Sequence, residues 1–190
     1  GTGGLSRPQM PAIEGIESFG GELFHTARWR HDILLEGKRV GIIGTGASAI
    51  QIVPEIADKV RNLAIFQRTP PWLIFKPDFA VPQWRRRLRA QFPILQKLNR
   101  AYTYSWHESW AIAFTRFPVL LKIVQLLANA FMAFNIRDKT LREKLKPDYV
   151  IGCKRVLLSN NYFPALKKPN VTLVTDSIEC ITPAGIRTRD

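Results

Sequence analysis

The chain is poor in the residues from which disulfide frameworks and metal sites are built. Its 190 residues include two cysteines, Cys153 and Cys180, and three histidines, His25, His31 and His107. The cysteines are too few for a disulfide framework and form no C-x-x-C motif, which favours a reducing, cytoplasmic setting. Since the histidines follow no metal-ligand spacing, we expect no metal site.

A secretory leader and an uninterrupted apolar run are also missing. The chain begins Gly1-Thr2-Gly3-Gly4, without an initiator Met, a basic n-region or an apolar h-region, so we expect a piece of a longer protein. The most apolar stretch, residues 119–136, is interrupted by Lys122, Gln125, Asn129 and Asn135. That spacing favours an amphipathic or buried helix over a membrane-spanning one.

Acidic residues are scarce relative to basic ones. There are 15 Asp and Glu against 28 Lys and Arg, which gives a formal net charge of +13. Such an excess favours anionic partners such as nucleotides, nucleic acid or acidic lipid, but charge alone does not choose among them. The apolar share of 46% is enough for one domain with a hydrophobic core.

Periodicity predicts an α/β fold. Residues 39–43 and 63–66 are short branched apolar runs that flank a helical pattern over 47–57, which gives a strand-helix-strand unit of a parallel sheet. Pro54 is expected to kink that helix or break it locally. Further strand-like segments at 156–158, 171–174 and 178–181 predict that the same sheet resumes later in the chain.

The chain divides into a linker and a domain with an insertion. Residues 1–38, rich in Gly and Pro, are predicted to form an extended linker. Residues 39–190 are predicted to form a Rossmann-like, three-layer domain. Within it, residues 82–146 change to long apolar and aromatic stretches, which predict a helical insertion.

A glycine-rich turn lies between the first strand and its helix. Gly44-Thr45-Gly46-Ala47-Ser48-Ala49 matches G-x-G-x-x-G/A with alanine in the last place. Gly44 permits the tight turn, Gly46 lets the backbone approach a pyrophosphate, and Ala49 lets helix and strand pack closely. The helix N-terminus offers N–H groups to the phosphates, so the motif predicts a dinucleotide site. The alternative is a turn that binds no ligand.

The end of the second strand predicts which dinucleotide is bound. NAD-specific sites usually carry an acidic residue there, whereas this chain has Gln67-Arg68-Thr69. Arg68 offers a planar set of donors and Thr69 a hydroxyl to a ribose 2′-phosphate, so we expect NADP(H). The alternative is that Arg68 is a solvated surface charge.

Residues 19–29 carry a fingerprint upstream of the glycine turn. They fit F-x-G-x-x-x-H-x-x-x-W at Phe19, Gly21, His25 and Trp29. This fingerprint resembles that of Baeyer-Villiger monooxygenases, within the class B flavin monooxygenases, and residues 44–49, 66–70 and 152–155 resemble further segments of that family in the same order. The match departs at Arg30, where the family usually has Pro or Asp. Residues 1–4 look like the tail of the family's link from the FAD domain.

The resemblance implies a two-dinucleotide-binding flavoprotein whose NADP domain is inserted between two halves of an FAD domain. It implies reduction of FAD by NADPH, capture of O2 as a peroxyflavin, and insertion of one oxygen atom into a ketone. The FAD-binding halves would lie outside this chain, so the chain alone is not expected to turn over.

The resemblance also assigns roles to residues near the end of the domain. In similar enzymes the positions of Lys154 and Arg155 hold the 2′-phosphate and support anionic charge at the flavin, respectively. Arg155 is therefore the predicted catalytic residue. The predicted cofactor-binding residues are Gly44, Thr45, Gly46, Ala47, Ser48, Gln51, Arg68, Thr69 and Lys154. Alternatively, Lys154 and Arg155 are surface charges at a strand edge.

The sequence is also compatible with other functions. A family member could oxygenate sulfur or nitrogen instead of a ketone. The basic run Arg85-Arg86-Arg87 beside Trp84 could instead belong to a non-enzymatic module that binds an acidic membrane surface or nucleic acid. No recognised nucleic-acid module accompanies that run, so nucleic acid is not an expected partner, whereas peripheral membrane contact by the insertion stays plausible.

Overall fold

The computed structural model describes residues 7–189, apart from the side chains at 113, 114 and 118. The predicted link at residues 1–4 lies outside the described part. Short 3-10 turns at Ile16–Ser18 and Thr26–Arg28 precede the regular elements. In chain order the strands and helices are β1 (Arg39–Ile43), α1 (Ala47–Ile56), β2 (Asn62–Phe66), β3 (Leu73–Ile74), α2 (Gln83–Gln91), α3 (Pro93–Arg116), α4 (Pro118–Asn135), α5 (Lys139–Leu145), β4 (Leu157–Leu158), α6 (Tyr162–Leu166), β5 (Val171–Val174), β6 (Ile178–Thr182) and β7 (Gly185–Thr188).

The centre of the fold is a parallel sheet of three strands in the order β1-β2-β5. Ile43 pairs with Phe66, and Phe66 pairs with Val174, so the carboxyl ends of all three strands meet at one edge. Leu63 and Ile65 of β2 are completely buried, because the central strand is covered on both faces. The predicted strand-helix-strand unit is confirmed.

The sequence predicted that all of the later strands would rejoin this sheet, and this prediction is wrong for two of the three segments. Only β5 does so; β4 pairs with β3 in a separate parallel pair, and β6 and β7 form an antiparallel hairpin. Pro70 and Pro71 separate β3 from β2, because residues without an N–H cannot continue a strand. The tight turn at Pro183 makes β6 and β7 pair with each other, since adjacent strands joined by a short turn pair antiparallel.

Helix α1 covers the sheet with one apolar face. Ile50, Val53 and Ile56 are 5% exposed or less and belong to the main core. The helix continues through Pro54 to Ile56, so the local break expected there is not found. Pro54 lies so near the end of the helix that only the Ile50 carbonyl loses an intrahelical donor, and the Ala57 N–H still bonds the Val53 carbonyl at 3.0 Å.

Four helices, α2 to α5, occupy the range predicted as an insertion. Helix α4 is anchored by Ala128 and Met132, which are buried, and the chain after it by fully buried Ile136. Helices α2, α3 and α4 pack in succession, each against the next. In the described part of the chain, no helix combines the length and the apolarity needed to cross a membrane.

The segment before β1 is irregular, as predicted, but it is packed against the hairpin. The Glu14 carbonyl accepts a hydrogen bond from the Ile181 N–H at 2.8 Å, and the Gly20 N–H donates to the Pro183 carbonyl at 3.0 Å. Trp29 packs against the main core. The domain boundary predicted at residue 38 stays a prediction.

A substitution at Gly15 can test the packing of the segment before β1 against the hairpin. Its φ of 76° is left-handed, and a Cβ there would lie 2.1 Å from the Ile181 carbonyl oxygen. We expect Gly15→Ala to separate the segment from the hairpin and to accelerate amide hydrogen exchange at Ile181. The matched control is Gly37→Ala, where φ is 70° but nothing lies within 4 Å. Both substitutions cost about 1–2 kcal/mol of backbone strain, so equal exchange at Ile181 in the two variants would contradict this account.

Candidate functional site

The glycine turn is held against the neighbouring strand by two hydrogen bonds. The Gly44 N–H donates to the Phe66 carbonyl at 2.9 Å. The Thr45 side chain is buried, and its Oγ1 donates to the Thr69 carbonyl at 3.2 Å. Gly44 has a φ of 100°, a backbone conformation that side chains rarely adopt. The turn is therefore fixed in place by residues just after β2.

The start of α1 is open above this turn. Gly46 is the residue that caps the helix, its backbone is extended, and among residues 7–189 no capping side chain bonds to the first turn. A Cβ added at Gly44 or Gly46 would meet no described atom within 4 Å. The N–H groups of a first helical turn have no intrahelical partner, so they are left to an outside acceptor. The arrangement offers an anion both space and donors.

The remaining residues of the motif divide into exposed and buried positions. Ala47, Ser48 and Gln51 are exposed, which leaves them accessible beside the open turn. Ala49 is 6% exposed and faces the core, consistent with its predicted packing role. Ile50 follows as the first large core residue of the helix.

The chain after β2 alternates between inward and outward side chains. Gln67 is 4% exposed, and its Nε2 donates to the Lys144 carbonyl at 2.7 Å, in the last turn of α5. Arg68 is exposed and Thr69 is half-buried. Sequence reasoning placed Arg68 and Thr69 but assigned Gln67 no function. A polar residue directly after a buried strand was the available signal, although nothing in the sequence identified its partner 77 residues later.

Lys154 is brought to the same loop by Tyr149. The Lys154 Nζ lies 4.6 Å from the centre of the Tyr149 ring. The Tyr149 hydroxyl donates to the Pro70 carbonyl at 3.1 Å, and the Tyr149 carbonyl accepts from the Trp72 Nε1 at 2.8 Å. Burial raises the pKa of Tyr149, so the hydroxyl keeps the proton it donates. Tyr149 is a positioning residue that sequence reasoning missed.

Arg155 lies at the amino end of β4 and is exposed. Two residues later, the Leu157 N–H donates to the Trp72 carbonyl at 2.8 Å. Because β3 and β4 run parallel, Arg155 lies at the same end of this pair as residues 70–72. The fold thus brings the predicted residues of two distant segments, 67–70 and 154–155, to one side of the domain.

The upstream fingerprint forms a local structure of its own. His25 Nδ1 accepts a hydrogen bond from the Ala27 N–H at 3.0 Å and so caps the 3-10 turn at Thr26–Arg28. Trp29 meets the Phe24 ring edge-on at 5.3 Å between centroids. Arg30, where the sequence departs from the family pattern, binds Asp32 through two nitrogens at 2.6–3.1 Å. This hydrogen bonding lowers the pKa of Asp32 to about 2.

Comparison with known proteins agrees with this geometry. Residues 1–84 match the family model FMO-like, flavin-binding monooxygenase-like. The chain is 50% identical over 186 residues to a Baeyer-Villiger monooxygenase of Pseudomonas aeruginosa, an alignment that covers 98% of this chain and 35% of that protein. A Baeyer-Villiger monooxygenase of Streptomyces coelicolor is 49% identical over 177 residues, covering 93% of this chain and 34% of its own length.

Solved structures give the same result. A polycyclic ketone monooxygenase from the thermophilic fungus Thermothelomyces thermophila superposes with a TM-score of 0.85 at 28% identity, covering 100% of this chain and 38% of that one. OTEMO in complex with FAD and NADP superposes with a TM-score of 0.79 at 30% identity, covering 100% and 44%. The fold is therefore that of a Rossmann-like domain with a helical insertion.

Over nearly its whole length the chain is similar to flavin-binding monooxygenases of the Baeyer-Villiger type. It spans about a third of the length of the curated relatives that it matches. The resemblance drawn from the sequence motifs is confirmed.

Proposed function

We propose that this chain is the NADP(H)-binding part of an FAD-dependent Baeyer-Villiger monooxygenase, which uses NADPH and O2 to insert one oxygen atom into a small-molecule ketone. The observation that carries the proposal is the open turn at Gly44 and Gly46, where an added Cβ would meet no described atom within 4 Å. Together with the uncapped first turn of α1, this space leaves backbone N–H groups accessible to an anion. The relatives named above, two of them Baeyer-Villiger monooxygenases, support the reaction.

The pyrophosphate of the nucleotide would lie at the start of α1. There the backbone N–H groups of the first turn and the partial positive charge of the helix N-terminus act together on an anion. Thr45 is turned inward to the Thr69 carbonyl, so we assign it the role of fixing the turn rather than of binding by its hydroxyl. Ser48 and Gln51 are the exposed polar side chains nearby in the motif.

The 2′-phosphate would be held by Arg68, Thr69 and Lys154. Arg68 is exposed and follows the buried Gln67, whose hydrogen bond to the Lys144 carbonyl fixes the direction of the loop. Lys154 is held over Tyr149, which is itself bonded to Pro70 in that loop. Two cations and a hydroxyl suit a doubly charged group better than a neutral ribose hydroxyl.

Arg155 would supply a fixed cation to the reaction. In a site from which water is excluded, such a charge stabilises negative charge that develops on the reacting atoms. FAD, when bound, supplies the redox chemistry and the activation of O2. Its binding would fall to the remaining parts of the same protein, which are therefore proposed as partners of this chain.

Arg68 tests the specificity for NADP. Replacing it with Ala should remove a charge-assisted hydrogen bond and reduce the preference for NADPH over NADH by about ten- to a hundred-fold. Titration of both nucleotides, followed by tryptophan fluorescence, measures this ratio. Arg61→Ala is the matched control, since Arg61 precedes the strand that Arg68 follows. Equal affinities for NADPH and NADH in the unmodified protein would refute the assignment.

Arg155 tests the proposed reaction. In the complete enzyme, Arg155→Ala should leave NADPH binding within about two-fold while lowering the yield of oxygenated ketone by at least about a hundred-fold, as expected when a catalytic charge is lost. Lys154→Ala should instead weaken NADPH binding. A normal product yield from the Arg155 variant would disprove its role.

A further inference from the structure

Helix α3 carries an apolar stripe that the described part of the chain leaves uncovered. Ile94, Leu98, Tyr102 and Trp106 recur every four residues, and their exposure is 58%, 59%, 69% and 53%. Side chains four apart lie on the same face of a helix, so these four form one continuous stripe. Among the described side chains of α3, none is buried. An exposed run of large apolar side chains of this length indicates an interaction surface.

Helix α4 has apolar side chains on two faces. One face, with Ala128 and Met132, is buried in the domain. The opposite face includes Val119, Ile123 and Leu126, which are between 54% and 69% exposed. Helix α2 adds Trp84, which is 62% exposed. The buried face attaches the helices to the domain, and the exposed side chains are left for a partner.

The charges around these side chains identify the kind of partner. Residues 82–135 contain eight Lys or Arg and a single acidic residue, Glu108. All of the basic side chains except the half-buried Arg89 are exposed. The Arg85 guanidinium lies 5.4 Å from the centre of the Trp84 ring, which places a cation and an interfacial aromatic side by side. Apolar stripes among which eight of nine charges are positive match a surface that is apolar inside and negatively charged outside.

We propose that the exposed surface of α2, α3 and α4 docks on the headgroup region of an anionic lipid bilayer. The apolar stripes enter the boundary between headgroups and acyl chains, and the arginines bind lipid phosphates. No helix in residues 7–189 is suited to crossing a membrane, which agrees with a helix lying along the surface. This inference does not depend on the nucleotide site.

Vesicle sedimentation of the complete protein tests the proposal. The protein should bind vesicles of phosphatidylcholine mixed with phosphatidylglycerol, and it should bind pure phosphatidylcholine much more weakly. Replacing Arg85, Arg86 and Arg87 together with Gln should weaken binding to the mixed vesicles by about a hundred-fold. A control with Lys38, Lys59 and Arg61 changed to Gln removes the same charge elsewhere and should change binding by less than about three-fold.

A second variant examines the apolar stripe. Leu98→Ser with Trp106→Ser should also weaken vesicle binding by at least about ten-fold while leaving the far-ultraviolet circular dichroism and NADPH affinity unchanged. Absence of binding to the anionic vesicles would overturn the proposal and indicate that the rest of the protein covers the surface. Equal losses in both triple variants would overturn it as well, because net charge alone would then explain binding. The proposal would also be overturned if the protein dimerises and the serine variant abolishes the dimer without changing vesicle binding.

Discussion

The candidate site depends on the connection between the ends of β1 and β2. The Gly44 N–H bonds the last carbonyl of β2, and Thr45 bonds the carbonyl of Thr69 beyond it. These two bonds fix the glycine turn relative to the loop that carries Arg68. The phosphate positions proposed at the helix N-terminus and at Arg68 therefore lie on one connected edge of the sheet. Without these two hydrogen bonds, the first turn of α1 and the loop that carries Arg68 would not be held in one arrangement.

A second set of contacts joins this edge to the end of the helical insertion. Gln67 donates a hydrogen bond to the last turn of α5. Trp72, before the insertion, donates to the Tyr149 carbonyl after it, and the Tyr149 hydroxyl donates back to the Pro70 carbonyl. The chain thus leaves the loop at residues 67–72, forms four helices, and returns within hydrogen-bond distance of that loop. These contacts hold the segment that carries Lys154 and Arg155 beside the loop that follows β2.

Local signals in the sequence predicted the parts of the structure that local interactions determine. The strand of Arg39–Ile43, the helix from Ala47 and the strand of Val171–Val174 all follow from apolar periodicity and glycine position. The pairing of Leu157–Leu158 with Leu73–Ile74 could not be predicted in this way, because two residues carry no periodic pattern. The same holds for Gln67 and Tyr149, whose partners lie 77 and 79 residues away along the chain. The residues expected to touch a ligand were identifiable by residue type, whereas those that position them required the fold.

The space above Gly46 is proposed to receive nucleotide phosphates. Gly46→Ser probes that space, because the backbone at φ −77° and ψ −173° suits any residue and serine is favoured before a helix. The free energy of unfolding should stay within about 0.5 kcal/mol of the unmodified value, since Ser and Gly differ little at this position. The serine side chain should fill the open space, and NADPH affinity measured by calorimetry should fall by at least about ten-fold. A variant that folds normally and binds NADPH with unchanged affinity would contradict the claim.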